Sequence, residues 1–169
     1  NFLCKTNTPE FGSGGNTRNA VFGVTCNPFD TARICGGSSG GSAVSIATYM
    51  LPLATGTDTG GSLRVPAAIN GIVSHRSTPG LIPSASRNLG YTNFAIEGPM
   101  ARNIDDMVLM LGAMVDYHDC DMLAFPRNSE LYRSIQDVDL TGLRIAFSED
   151  LGFCPVDNKI REIFRRRMK

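Results

Sequence analysis

The stretch GGSSGGSAVSIATYMLPLATGTDTGGS, residues 36–62, places two glycine–serine loops, GGSSGGS at 36–42 and GTDTGGS at 56–62, around a run of apolar residues. Loops of this composition are usual in flexible linkers, but here both border segments with the pattern of a buried core. The apolar spacing predicts a buried helix over residues 42–51, which Pro52 ends. Residues 51–55, LPLAT, predict a short buried strand that runs into the second loop. Two ordered loops, rather than one linker, are therefore expected.

Helical and strand-like segments alternate along the rest of the chain. Further helices are predicted from about residue 61 to 70, over 103–115 and over 155–169, with Asn103 and Asp157 as the N-caps of the last two. Strand-like segments occupy residues 72–78, 94–98 and 143–149, and a loop is predicted over 79–93. This alternation predicts the α/β class.

The composition is that of a globular protein without a strongly charged partner. The chain has 169 residues, with 16 basic and 16 acidic side chains, so its formal net charge is zero. Neither nucleic acid nor a membrane surface is an expected partner, because both attract basic proteins. No apolar run approaches the roughly 20 residues that cross a bilayer. Five scattered cysteines indicate reduced thiols and favour a cytoplasmic location.

Each glycine–serine loop leads toward a helix, which is the arrangement of an anion site. Glycines let several backbone N–H groups point into one cavity, and such groups at a helix N-terminus bind anions. A phosphate site is disfavoured, because neither loop has the lysine of a Walker motif and the dinucleotide pattern is absent. The serine hydroxyls in both loops favour the oxyanion of an acyl-transfer reaction.

The sequence resembles the amidase signature family of serine amide hydrolases. The resemblance rests on the two loops and on LRVPAAINGIV, residues 63–73, which follows the second loop. It also rests on KTNTPEF at 5–11, CNP at 26–28 and EGPMARNIDDMVLML at 97–111. It implies a mixed β-sheet core flanked by helices, here incomplete. It also implies hydrolysis of a small or aryl amide without a cofactor or a metal. Residues 1–169 are then expected to be the central fragment of a single amidase signature domain.

The resemblance implies a Ser–Ser–Lys triad. Ser62 would be the nucleophile, and Ser38, which lies 24 residues earlier, would be the bridging serine after a cis peptide bond with Gly37. Ser38 would take the proton of Ser62 and pass its own proton to a neutral lysine. Backbone N–H groups would hold the oxyanion, and the resemblance assigns them to Thr59, Gly60, Gly61 and Ser62.

Three more residues match family positions that support these loops, namely Ser39, Asp58 and Arg64. The family's lysine lies far upstream of the bridging serine, in a segment expected to be absent here along with the C-terminal part. Lys5 is only 33 residues before Ser38 and belongs to another family element, so it is not assigned as the base. The chain alone is therefore expected to be nearly inactive.

Two alternatives to a free-standing amidase stay open. One is the family's amidotransferase subunit, which amidates misacylated tRNA with ammonia from glutamine and typically carries SSLDQIGP. Here the matching residues 92–99 read TNFAIEGP, which favours an amidase. The other is a degenerate member without activity. The expected partner is a small-molecule amide, and a homodimer also stays open.

Other chemically active residues are expected to be structural. His75 is not needed in a Ser–Ser–Lys scheme, and Cys35 lacks the partners of a nitrilase-like nucleophile. A polar segment after the third predicted helix is interpreted as a solvated loop rather than a metal site, and it contains Asp116, His118, Asp119, Cys120 and Asp121.

Overall fold

The computed structural model describes residues 2–85, 91–135 and 137–168. The loop predicted over 79–93 includes residues 86–90, which lie outside the described residues. The chain divides into two compact units, Asn1–Ile135 and Gln136–Lys169. Both candidate loops belong to the first unit.

The described part of the first unit forms three α-helices, a two-stranded ribbon and a three-stranded sheet. The ribbon is antiparallel and pairs β1 (Arg18–Asn19) with β2 (Gly23–Val24). The sheet has the order β3–β5–β4, with both pairings antiparallel, and its strands are β3 (Leu53–Asp58), β4 (Val73–Ser74) and β5 (Ile96–Ala101). The helices are α1 (Gly40–Ala47), α2 (Arg64–Asn70) and α3 (Ile104–Met114). Single 3-10 turns occur at Glu10–Gly12 and Ser129–Tyr132.

One apolar core joins α1, α2 and the sheet. Ile46 of α1, Leu63 before α2 and Met100 of β5 are all completely buried. Burying one such side chain stabilises a fold by about 1.5–3 kcal/mol. The core comprises Ala43, Ile46, Ala54, Leu63, Ala67, Ile72 and Met100. The loops that precede α1 and α2 are therefore anchored on the same packed cluster.

The first predicted helix forms, but with different bounds. It begins at Gly40, inside the first loop, and ends at Ala47 instead of near Leu51. Arg102 explains the early end: its Nη1 donates to the carbonyl oxygens of Ile46 at 3.1 Å and Leu51 at 2.8 Å. Its guanidinium also lies 4.5 Å from the ring centroid of Tyr49. Tyr49 has a left-handed backbone with φ of 63°, which stops the helix.

Helices α2 and α3 lie where the sequence predicts them. Strands β3 and β5 each begin two residues and end three residues later than predicted, and of the strand predicted over 72–78 only Val73–Ser74 forms. Helix α2 ends at Asn70, and Gly71 follows in the left-handed conformation with φ of 65°. Asn103 caps α3, because its side chain accepts the backbone N–H of Asp106 at 2.8 Å. Strand β3 extends to Asp58, so it includes the first three residues of the second loop, and residues 59–62 follow directly from the end of a sheet strand.

The second unit contains the predicted fourth helix but not the predicted strand. Helix α4 spans Asn158–Arg167, and Asp157 caps it by accepting the N–H of Lys159 at 2.8 Å. The strand predicted over 143–149 is wrong, since those residues form neither helix nor strand. A strand needs a neighbour for its backbone hydrogen bonds, and no described strand pairs with this segment. None of the helices in the described ranges has the length and apolar character to cross a membrane.

Candidate active site

The two glycine–serine loops line one cleft of about 470 Å³. Ser38 comes from the loop before α1, and Ser62 comes from the loop between β3 and α2. Residues 11–15 close another side of the cleft. The fold therefore brings together the two serines that the resemblance implied, although they are 24 residues apart in the sequence.

Ser38 is held in the cleft wall by its backbone. The peptide bond between Gly37 and Ser38 is cis, which confirms that expectation. A Cβ atom on Gly37 would come within 2.9 Å of the backbone of Asn16 and of Gly14, so only glycine fits at this position. The glycines of the first loop thus allow a close approach to residues 14–16.

Thr17 fastens the first loop from behind. Its side chain is completely buried, and its Oγ1 donates to the carbonyl oxygen of Gly36 at 2.9 Å. The same oxygen accepts the N–H of Gly40 at 3.1 Å. One threonine therefore bonds the backbone on both sides of Ser38. Sequence reasoning missed this residue, because it lies in a turn-rich segment where no periodicity marks a buried side chain.

Ser39 joins the first loop to the sheet and to the second loop. Its Oγ donates to the carbonyl oxygen of Thr57 at 3.3 Å and accepts the N–H of Thr57 at 3.1 Å. Its backbone N–H donates to the carbonyl oxygen of Ser62 at 3.4 Å. A Cβ on Gly56 would come within 2.7 Å of the Ser39 hydroxyl oxygen, so β3 carries glycine there. The hydroxyl group of Ser39 is thus occupied in holding the loops together.

The carboxylate of Asp58 organises the second loop. The residue has no exposed surface. Its two oxygens accept the backbone N–H of Gly61 at 2.8 Å and of Leu63 at 3.3 Å. Arg64 binds it in a bidentate manner, at 2.9 Å and 3.0 Å, and the Nε of Arg76 lies 3.3 Å from Oδ1. Sequence reasoning missed Arg76, because only the fold brings this residue, which follows β4, close to Asp58 at the end of β3.

The pKa of Asp58 follows from these contacts. Burial raises the pKa of this carboxyl group. The hydrogen bonds from Arg64 and from two backbone N–H groups lower the pKa by more than burial raises it, so its value is about 2. The carboxylate therefore stays ionised at neutral pH. An ionised side chain that binds two backbone N–H groups and two guanidinium groups thus braces the loop between β3 and α2.

This carboxylate should make stability depend on pH in acid. Its pKa is about 2 in the fold and 3.8 without neighbours, so its stabilisation is complete above about pH 4 and is lost as the pH falls through 2. The loss amounts to about 2 kcal/mol. Urea unfolding at pH 6 and pH 2 should show a smaller drop in Asp58→Asn than in the wild-type protein. Asp30→Asn, which removes an exposed carboxylate, should keep most of the wild-type decrease in the free energy of unfolding between pH 6 and pH 2. If Asp58→Asn shows the full wild-type decrease, Asp58 is not its source.

One of the four backbone N–H groups expected to bind the oxyanion, that of Gly61, has a hydrogen-bond partner within the second loop. The N–H of Gly61 donates to Asp58, so this donor is occupied and is not free for an oxyanion. Gly61 has φ of 116° and turns the chain at this point. The N–H groups of Thr59, Gly60 and Ser62 have no hydrogen-bond acceptor among the described residues. Three of the four expected donors thus remain free beside the cleft.

Of the residues expected to be structural, Asp121 is the one whose surroundings differ from expectation. It is 3% exposed, and its carboxylate accepts the N–H of Ser84 at 2.8 Å and of Leu123 at 3.0 Å, so it is not a solvated loop residue. In the described ranges no three His, Cys, Asp or Glu side chains lie close enough together to hold a metal. Burial lowers the pKa of His75 and raises the pKa of the Cys35 thiol, which disfavours the charged form of each.

The whole chain matches one protein family. The Amidase family profile matches residues 1–169. An acylamidase of Rhodococcus erythropolis is 40% identical over 159 residues, which cover 94% of this chain and 33% of that protein. A glutamyl-tRNA(Gln) amidotransferase subunit of Nitrosomonas eutropha is 38% identical over 148 residues, covering 88% of this chain and 30% of that protein. The chain thus spans about a third of the length of these relatives.

Solved structures give the same result. A 6-aminohexanoate cyclic dimer hydrolase complexed with its substrate has a TM-score of 0.70 at 35% identity, covering 78% of this chain and 28% of that chain. A bacterial aryl acylamidase of the amidase signature family has a TM-score of 0.67 at 35% identity, and the match covers 72% of this chain and 25% of that chain. The predicted α/β class is confirmed by these likenesses.

Proposed function

The chain belongs to the amidase signature family, and on that premise we propose that it carries the nucleophile, the bridging serine and the oxyanion loop of an amide hydrolase. One observation carries this proposal: Ser38 and Ser62 line the same cleft, beside three backbone N–H groups that have no acceptor among the described residues. Attack by a serine on a carbonyl group needs a hydroxyl, a path for its proton and donors for the oxyanion. The cleft offers the hydroxyl group of Ser62 and the backbone N–H donors, and the hydroxyl group of Ser38 is the first step of the proton path.

The proposed reaction proceeds through an acyl-enzyme. Ser62 Oγ attacks the amide carbonyl while its proton passes to Ser38, and the proton of Ser38 passes to a neutral lysine. The N–H groups of Thr59, Gly60 and Ser62 stabilise the oxyanion, and each such donor is worth about 10²–10³ in rate. The C–N bond then breaks as the amine takes a proton from the relay. Water attacks the ester and releases the acid and Ser62.

We propose that the 169 residues are the central part of one amidase signature domain. The lysine of this scheme then comes from another part of that domain. Within the chain, Asp58, Arg64 and Ser39 fix the two loops, so that the donors are in place before the substrate binds. We propose a small or aryl amide as the substrate. We also propose a cytoplasmic location, where the free cysteines would remain reduced.

Hydroxylamine tests the acyl-enzyme. The natural protein that carries this chain should release the amine from a simple amide such as benzamide or acetanilide. With hydroxylamine present, part of the acyl group should appear as the hydroxamate instead of the acid, because hydroxylamine competes with water for the ester. The hydroxamate-to-acid ratio should rise in proportion to the hydroxylamine concentration. Amine release without hydroxamate at any concentration would indicate direct attack by water and contradict the scheme.

A glutamine-using amidotransferase subunit is the second candidate function. The amidotransferase relative from Nitrosomonas eutropha is nearly as similar to this chain as the acylamidase. The same assay separates the two functions. An amidase should hydrolyse simple amides by itself, whereas an amidotransferase subunit should act on glutamine and leave benzamide and acetanilide intact.

A further inference from the structure

A second cavity adjoins the candidate catalytic cleft. It has a volume of about 570 Å³ and is lined by residues 9–11, 13–16 and 18. Phe11, Ser13, Gly14 and Gly15 line both the cleft and this cavity. The two spaces therefore share a wall, and Phe11 is part of that wall. The proposed reaction makes no use of the second cavity.

Phe11 is the aromatic residue at the junction of the two spaces. It is fully exposed, so its ring contributes nothing to the apolar core. Its backbone is left-handed, with φ of 57° and ψ of 17°, which is an unfavourable conformation for a bulky side chain. Such outliers cluster at ligand sites, where the surrounding structure maintains them. Phe11 thus combines an unfavourable backbone conformation with an exposed side chain, in a residue that lines both spaces.

The turn that presents Phe11 is fixed by hydrogen bonds on both sides. The N–H of Gly12 donates to the carbonyl oxygen of Pro9 at 3.0 Å, and the N–H of Ser13 donates to that of Glu10 at 3.1 Å. The carboxylate of Glu10 accepts the N–H of Ala20 at 3.3 Å, which ties the turn to the β1–β2 ribbon. The ring is therefore presented by a braced turn rather than by a free loop.

We propose that Phe11 is a specificity-determining residue, whose ring packs against an aryl group of the amide substrate at the junction of the two cavities. The inference rests on the proposed function and deepens it, since it assigns the substrate class. Aromatic rings gain from offset-stacked or edge-to-face packing beyond the area that they bury. A saturated ring of the same size buries a similar area but lacks that gain. The chain should therefore prefer an aryl amide to its saturated counterpart.

The test compares substrates within each variant of the natural protein. Benzamide carries an aryl group on the acyl side, acetanilide carries one on the amine side, and cyclohexanecarboxamide has no aryl group. In Phe11→Ala, kcat/KM for at least one aryl amide should fall about tenfold relative to the cyclohexyl amide, mainly through KM. Phe11→Tyr should retain the preference. Phe22→Ala, which removes another exposed ring that lines neither cavity, should leave all three values unchanged.

The outcomes separate this inference from the proposed function. A fall for benzamide alone or for acetanilide alone supports the inference and assigns the aryl group to the acyl or the amine side. An equal fall for aryl and cyclohexyl amides in Phe11→Ala, or no fall at all, would overturn the inference and leave the proposed function intact. A wild-type protein that hydrolyses none of the three amides would overturn both this inference and the proposed small or aryl amide as the substrate.

Discussion

Ser62→Ala is expected to reduce kcat for amide hydrolysis by about 10⁴–10⁶-fold, because the variant cannot form the acyl-enzyme. The substitution removes one hydroxyl group and leaves the backbone of the loop unchanged. The carbonyl oxygen of Ser62 can still accept the N–H of Ser39, and the bonds between Asp58 and the loop do not involve the lost atom. Amine release measured by chromatography, with circular dichroism as the check on folding, gives the result.

Ser134→Ala is the matched control for this prediction. Ser134 is exposed and lines neither cavity, so its variant should keep the wild-type kcat. A folded Ser62→Ala protein that retains activity within tenfold of the wild type would mean that another group attacks the amide. The assignment of the nucleophile would then be wrong.

Ser38→Ala should lower kcat by about 10²–10⁴-fold and leave stability nearly unchanged. The range is that of a single proton-transfer group. Among the described residues, the hydroxyl group of Ser38 has no hydrogen bond, and only its carbonyl oxygen accepts one, from Thr17 at 3.4 Å. The hydroxyl is thus not needed to hold the loop, although the residue is only 3% exposed. Single-turnover kinetics and urea unfolding measure the two effects separately.

The neighbouring serine provides the contrast. Ser39→Ala loses both hydrogen bonds between its hydroxyl group and Thr57, so its free energy of unfolding should fall by about 1 kcal/mol or more. Ser38→Ala should show the reverse pattern, with a large loss of kcat and little loss of stability. If Ser38→Ala instead loses stability and keeps its kcat, Ser38 is structural and the proton path must run elsewhere.

Those elements that depend on local sequence were predictable. Helix α3 has a capping asparagine and a long apolar pattern, and it forms where that pattern predicts. The segment 143–149 has an equally clear strand pattern but forms no strand, because a strand depends on a partner that its own sequence does not specify. The end of α1 likewise depends on Arg102, more than 50 residues away, whose guanidinium binds the carbonyl oxygens there.

The candidate site shows the same division. Its serines could be identified from the glycine–serine loops and from the resemblance that those loops carry. The residues that fix the loops come from other parts of the chain: Thr17 from the turn-rich segment and Arg76 from after β4. The direction of each backbone N–H could not be predicted either, because Gly61 donates to Asp58 only through the turn that the folded loop makes. Such contacts are properties of the fold rather than of any motif.

Labelling with a fluorophosphonate, read by intact mass, shows whether Ser62 is the nucleophile. This probe reacts with an activated serine and needs no knowledge of the natural substrate. We expect one adduct per molecule on the natural protein and none on Ser62→Ala under the same conditions. Peptide mapping should locate the adduct on Ser62. An adduct that persists in Ser62→Ala, or one that maps to a serine outside the cleft, would contradict the claim that this cleft holds the nucleophile.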